Sequence, residues 1–575
     1  MSHLLQSFPL HRFVSPVSSW PSLRVQAGRA SVRARSERRP FIRIVRLVGL
    51  TFGVACVAQG AVAQSATHGV ARLGTVEFKV ECSSAAQQQF NTAMALYHSF
   101  AWPQAVAAFT AIGTTDPGCG MAHWGRAMSL LDNPFVWPAG LSAQNLDEVG
   151  AALDAARAAG LKTARERDYV DAVGAFVRDH ATTPHAQRMQ AFDAAMEQLA
   201  ARHPDDREAT ILSALITSAN FNPVDKTYAN QLKAARSLEP LFKAYPDHPG
   251  VAHYLIHSYD YPPIARQGLE AAKAYSRIAP DAAHALHMPA HIFTRVGYWK
   301  ESVAANRESA RVAGDRTFDG HHASDYMVYA HLQLAQDEAA RRAMQHAFGM
   351  KPIDNFAAAF AYAAMPARMA LERGDWAAAA DLPLIPAADA YPWKKYPQAE
   401  AINAFARGIG AARAGNAAQA RDQQARLVAL RDAAKALRLS YWVEQIDIQA
   451  ALVGALALCA EGKPAECLDG LKVASLREEA TEKHAVTPGP LVPARELLAE
   501  MLLAQEKFAD ALRAYEAVMA KEPHRYRTLA GAMAAARGAG DVAKARSFAD
   551  ELVKLGSDAD AQRATLQQAK RIAGG

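Results

Sequence analysis

The stretch "KFADALRAYEAVMAKEP" at residues 507–523 decides how the rest of the chain reads. Ala511, Tyr515 and Val518 fall at i, i+4 and i+7, one face of an α-helix, and Pro523 ends the run. The same phrase, a turn residue followed by small residues spaced four apart, returns in "FAWPQAVAAFTAIGTTDP" (100–117), "GYWKESVAANRESA" (297–310), "GDWAAAA" (374–380), "GNAAQARDQQA" (415–425) and "GDVAKARSFADEL" (540–552). Small residues at that spacing let two antiparallel helices approach closely, and the Gly or Pro punctuation turns the chain between them. Composition agrees, since aromatic residues make up only 8% of a chain rich in alanine, a balance that favours close-packed helices over strands. A chain of 575 residues built this way needs no separate globular cores, because each repeat packs on its neighbours.

These features resemble the tetratricopeptide repeat (TPR), a helix-turn-helix unit of 34 residues. The phrases "DKTYANQLKAA" (225–235), "HPGVAHYLIHSYD" (248–260), "APDAAHALHMPAHIFTRVGYWKES" (279–302) and "PARELLAEMLLA" (493–504) are similar to a bacterial family of exported TPR proteins. The resemblance implies an all-α, right-handed superhelix of stacked helical hairpins, and it implies no reaction. The expected organisation is a leader at 1–63, degenerate repeats over 64–245, histidine-bearing repeats over 246–350 and further repeats over 351–480. A Pro-rich linker at 481–493 then precedes a C-terminal repeat pair at 494–575.

The net charge of +6 belongs to the leader, whose nine Arg and one Glu contribute +8 and leave the remainder at −2. Without residues 1–63 the argument for a polyanionic partner disappears, so nucleic acid is not an expected ligand. "ERRPFIR" (37–43) precedes the apolar run from Ile44 to Ala58, and "AVAQ" (61–64) supplies a cleavage site after Ala63. Arg38 and Arg39 with Phe41 and Ile42 resemble a twin-arginine export signal, with an ordinary secretory signal as the alternative. Arg46 interrupts the apolar run, which argues against a membrane anchor. The expectation is a periplasmic or otherwise exported chain with no membrane contact once the signal is removed. Cys82, Cys119, Cys459 and Cys467 remain. An oxidising compartment permits two bridges, most simply Cys82–Cys119 and Cys459–Cys467 by nearness in sequence, with free buried thiols as the alternative.

"HYLIH" (253–257) and "HMPAH" (287–291) each hold two histidines four residues apart, at an interval of 34 residues. His253, His257 and Asp260 lie one residue beyond the packing stripe Ala252, Ile256 and Tyr259; His287, His291 and Thr294 do the same beside Leu286, Ala290 and Phe293. The flanks between the paired histidines share nothing, so simple duplication does not explain the match. Continuing the interval reaches His321 and Asp325. Histidines at i and i+4 chelate an ion from one helix, and neutral imidazole with one carboxylate suits Zn, Cu, Ni or Fe. The expected metal set is His253, His257, His287 and His291, with Asp260, His321 and Asp325 in support. Protonated imidazoles with His284 and Arg295 would instead bind an anionic ligand.

No P-loop, G-x-S-x-G, H-E-x-x-H or dinucleotide fingerprint is present. Ser324 falls in a packing stripe, Trp124 and Met128 read as core, and "RYRT" (525–528) reads as a solvated basic turn. The functional expectation is a scaffold whose histidine-lined groove recognises a protein, a peptide or a small ligand. The alternative is a metal-dependent enzyme using the same histidines.

Overall fold

A left-handed residue at the end of a helix, followed after a single further residue by the next helix, is the recurring joint of this molecule. Glu506 (φ 56°), Gly540 (φ 78°) and Ala335 (φ 54°) all occupy that place. At each joint a backbone N–H reaches back to a carbonyl five residues earlier: Lys507 to Leu502 at 3.0 Å, Asp541 to Ala536 at 2.9 Å and Gln336 to His331 at 2.9 Å. This bond satisfies a carbonyl the helix would otherwise leave unpaired, and it reverses the chain within a few residues.

The computed structural model describes residues 71–137, 141–222, 224–315 and 317–574. Those residues form α-helices and short 3₁₀ turns, and no strand occurs among them. Successive helices pack on one another in sequence order from Ser84–His98 to Ala564–Gly574, which makes the fold an all-α superhelical array of TPR-like hairpins. Close approach is built in by small residues. A Cβ added at Gly531 would lie 2.2 Å from the Tyr515 ring, so the helices Phe508–Lys521 and Tyr526–Gly538 meet only because that position is glycine. Residues 1–63, expected as an export leader, lie outside the described residues.

Cys82–Cys119 and Cys459–Cys467 are both bridged, with Cα separations of 5.0 and 5.3 Å. The first ties the segment before the helix Ser84–His98 to the start of Gly120–Leu130; the second closes the turn between Ser440–Ala460 and Pro464–Ala480.

Residues 481–493 do connect Pro464–Ala480 to Ala494–Ala504, but they are packed rather than free. Val486, Thr487, Leu491 and Val492 are buried, and Lys226 and Tyr228 hold Glu482 at 2.7 and 2.9 Å. The segment therefore packs beside the histidine-bearing helices, where Lys483 reaches Asp260 at 2.7 Å. A correction concerns "RYRT". Arg525 is fully buried, clasped by Glu372 at 2.9 Å, both Glu496 oxygens at 3.1 Å and the Tyr329 hydroxyl at 2.6 Å. Its partners lie on three other helices, so it joins repeats and does not face solvent.

Candidate metal centre

His248 caps the helix Pro249–Tyr259, its Nδ1 accepting from the Val251 N–H at 3.3 Å, with Pro249 in the first turn where no N–H is needed. That helix carries His253 and His257 one turn apart and ends at Asp260. The next unit is split at Met288 because Pro289 cannot continue the hydrogen-bond ladder. Ala283–His287 bears His284 and His287, and Pro289–Arg295 bears His291 and Arg295. A third helix, Asp319–Gln333, brings His322 and Tyr326.

Six imidazoles from these helices form two triads. His253, His257 and His284 make the first, and His287, His291 and His322 the second. In the first, His253 Nδ1 donates to the His98 carbonyl at 2.7 Å, which leaves its Nε2 without a proton. That bare nitrogen faces His257 Nε2 at 3.1 Å and His284 Nε2 at 3.2 Å, although one lone pair accepts only one good hydrogen bond.

The second triad is more sharply defined. Asn306 Nδ2 donates to the Ser302 carbonyl at 2.7 Å, so its Oδ1, 2.7 Å from His287 Nδ1, is an acceptor. His287 Nδ1 therefore carries the proton. His291 Nδ1 donates to the Asp260 carboxylate at 2.8 Å. Both Nε2 atoms are thus lone-pair nitrogens, and they stand 3.0 Å apart. Two lone pairs at that distance repel unless a cation lies between them. A proton is disfavoured there, because burial pushes His287 well below the ordinary imidazole value and lowers His291 against the opposing pull of Asp260. The 3.0–3.2 Å spacings are ones that two imidazoles would keep on a single ion at nitrogen–metal distances near 2.0–2.1 Å, and in each triad one nitrogen from each ring lies within 4.8 Å of the other two.

Asp260 anchors the second triad from behind. Besides His291 it accepts from Arg295 Nε at 2.9 Å and from Lys483 Nζ at 2.7 Å. Burial pushes its carboxyl up, but Lys483 and Arg295 hold it well below the usual carboxylate range. Lys483 itself is pushed down to about 8 by burial. A cleft of about 70 Å³, lined by Phe135, His257, Asp260, Tyr441, Lys483 and His484, reaches the histidines beneath this segment.

His253, His257, His284, His287 and His291 thus lie together, with Asp260 behind His291. Arg295 is committed to Asp260, including a 3.0 Å bond to its carbonyl. Two expected supporting residues stand elsewhere. His321 pairs with the Tyr362 hydroxyl at 2.7 Å, and Asp325 pairs with Arg368 at 2.9 Å. The third helix is set one residue late, so His322 and Tyr326, 35 residues after His287 and His291, take the places assigned to His321 and Asp325. Ser324 is buried and donates to the Gly320 carbonyl at 2.7 Å, and Trp124 and Met128 are core.

A further trio, His98, Glu208 and His248, is fully engaged in hydrogen bonds. Glu208 pairs with His98 Nε2 at 3.1 Å and His248 Nε2 at 2.9 Å, while His98 Nδ1 meets the Tyr254 hydroxyl at 2.9 Å. With Val251 on His248 Nδ1, every ring nitrogen has a partner. A Cβ at Gly250 would lie 2.4 Å from His98 Nδ1, so glycine makes room for this ring, whose carbonyl orients His253.

No protein-family model and no curated protein matches the chain. Among solved structures, the crystal structure of the APC/C hetero-tetramer Cut9-Hcn1 is similar at 12% identity, over 85% of this chain and 90% of that one, with a TM-score of 0.33. The structure of Naa15/Naa10 bound to HypK-THB is similar at 13% identity, over 85% of this chain and 78% of that one, with a TM-score of 0.23. Matches this loose leave the hairpin assignment resting on the joints and helix pairing described above.

Proposed function

We propose that this chain is an exported, periplasmic TPR-like scaffold that holds a transition metal in its histidine-lined groove, beside a cavity for a peptide segment or small ligand. The observation that carries this reading is the pair of proton-free nitrogens on His287 and His291, 3.0 Å apart with both Nδ1 atoms committed to acceptors. Oriented Nδ1–H donors are what metal-bound imidazoles require, and an all-imidazole set suits Zn, Cu, Ni or Fe. A neighbouring cavity of about 390 Å³ has walls of Tyr228, Phe360 and Trp442 and shares Arg295 and Lys483 with the Asp260 anchor. Ligand and metal therefore meet through the same cations.

Elemental analysis of tag-free protein is expected to find stoichiometric Zn, Cu, Ni or Fe, lost in a His257→Ala, His291→Ala double variant that keeps its helical circular dichroism. Protein that is metal-free and takes up none of these ions at neutral pH overturns the reading. Acid should act late. Burial lowers the imidazole values, so folded apo-protein keeps neutral, ligand-competent rings below pH 6.5, and proton competition begins only further down. Apo-protein stability shows the complementary sign, being present above about pH 6.5 and declining below it as the unfolded chain takes up protons.

The cleft that reaches His257 favours a second reading, a metal-dependent enzyme, which would need an open coordination position toward that cleft. Export is tested separately: replacing Arg38 and Arg39 with Lys should retain the precursor in the cytoplasm, and unchanged export would assign the chain to the general secretory route.

A further inference from the structure

We infer that the two histidine triads form one dinuclear centre, two metal ions sharing a bridging oxygen ligand, and not two independent sites. The inference rests on the metal reading above and adds stoichiometry, coupling and ligand class to it.

The sequence spacing already sets the triads one turn apart. His284 belongs to the first and His287 to the second, and three residues of helix advance about 4.5 Å. The rings confirm how little separates them. Within the triads, His253–His257, His253–His284, His287–His291 and His287–His322 have ring centroids 4.8, 5.0, 5.0 and 4.4 Å apart. Across the triads, His257–His291 and His284–His287 are 6.3 and 6.2 Å apart. Triads whose rings stand 6.2–6.3 Å apart are near enough for their ions to share one ligand, as two-metal sites about 3.5–4 Å apart do.

Which ligand bridges follows from what surrounds them. Asp260, the carboxylate beside the second triad, is committed to His291 Nδ1, Arg295 and Lys483, so it stands behind a ligand and not between ions. Six neutral imidazoles leave two divalent ions uncompensated, and Arg295 and Lys483 add positive charge nearby. The bridge is therefore a small anionic oxygen donor, hydroxide from solvent in the resting protein, exchangeable through the cleft at His257. The Tyr326 hydroxyl, 3.4 Å from His291 Nε2 and donating to the Thr487 carbonyl at 3.1 Å, closes the opposite side.

The test loads the metal-free, full mature chain with Cu(II) alone and follows copper content and electron paramagnetic resonance. Wild type should take two Cu(II) per chain, with signal intensity far below the copper content because a bridged pair couples magnetically. His284→Ala and His322→Ala each remove a ring with no Nδ1 anchor, so the fold should survive, as circular dichroism would verify. Each variant should take one Cu(II) and show its full signal. Two ions with full intensity in wild type would mean separate sites and overturn the dinuclear centre. One ion in wild type overturns it while leaving the metal reading intact, and no uptake overturns both.

Discussion

Arg525→Met should cost roughly 3–5 kcal/mol of stability, as expected when one member of a buried ionic cluster is removed. Arg525, Glu372 and Glu496 have fully buried side chains. Glu372 Oε2 has no hydrogen-bond partner even in the intact protein, so loss of the guanidinium leaves that buried carboxylate without a donor and with only the neighbouring charge of Arg527. Glu496 keeps Thr528 and a 3.7 Å approach from Arg527, which soften its loss. The cluster joins the helices Phe356–Arg373, Ala494–Ala504 and Asp319–Gln333, so the damage should appear as early release of the C-terminal repeats. Denaturant unfolding followed by the exchange of amides within 494–574 reads this directly. Arg311→Ala, which breaks an exposed pair with Glu308, is the control and should change stability by about 1 kcal/mol or less. An Arg525 variant as stable as that control would sink the account.

What was legible in the sequence divides along the same line as local and distant contacts. The hairpin reading held because the joint is local: a turn residue and the small residues after it specify both the reversal and the close helix approach. The histidine pairs were visible because i and i+4 share a helix face, and both Cys pairs are close along the chain. The third helix was misread by one position. The connection after Trp299–Ala313, with Gly314 at φ 61°, delays Asp319–Gln333 by one residue relative to a 34-residue interval, and one residue is about 100° of helix. That rotation exchanges His321 for His322 and turns Asp325 toward Arg368. Arg525 and Lys483 were beyond reach for another reason. Tyr329 lies 196 residues from Arg525, and Asp260 lies 223 from Lys483, so the local sequence around "RYRT" or "ATEKHAVTPGPLVP" carries no sign of burial.

Asp260→Asn should weaken one metal ion and spare the other. The carboxylate fixes the His291 tautomer through Nδ1 at 2.8 Å, and loss of such an outer partner typically costs 10–100-fold in metal affinity. His253, in the first triad, is held instead by the His98 carbonyl, so that triad keeps its orientation. Competition against a zinc chelator should therefore split into two phases, one ion released 10–100-fold more readily and one near the wild-type value. Stability should fall as well, since Lys483 and Arg295 lose their shared counter-charge in a buried site. The double variant Asp260→Asn, Lys483→Met separates the two effects. Removing the stranded ammonium should recover stability and leave the affinity loss in place, because the neutral amide still cannot polarise His291 as the carboxylate does. If affinity returned along with stability, repulsion from Lys483 would be the cause, and Asp260 would act on the metal through charge balance and not through the orientation of His291.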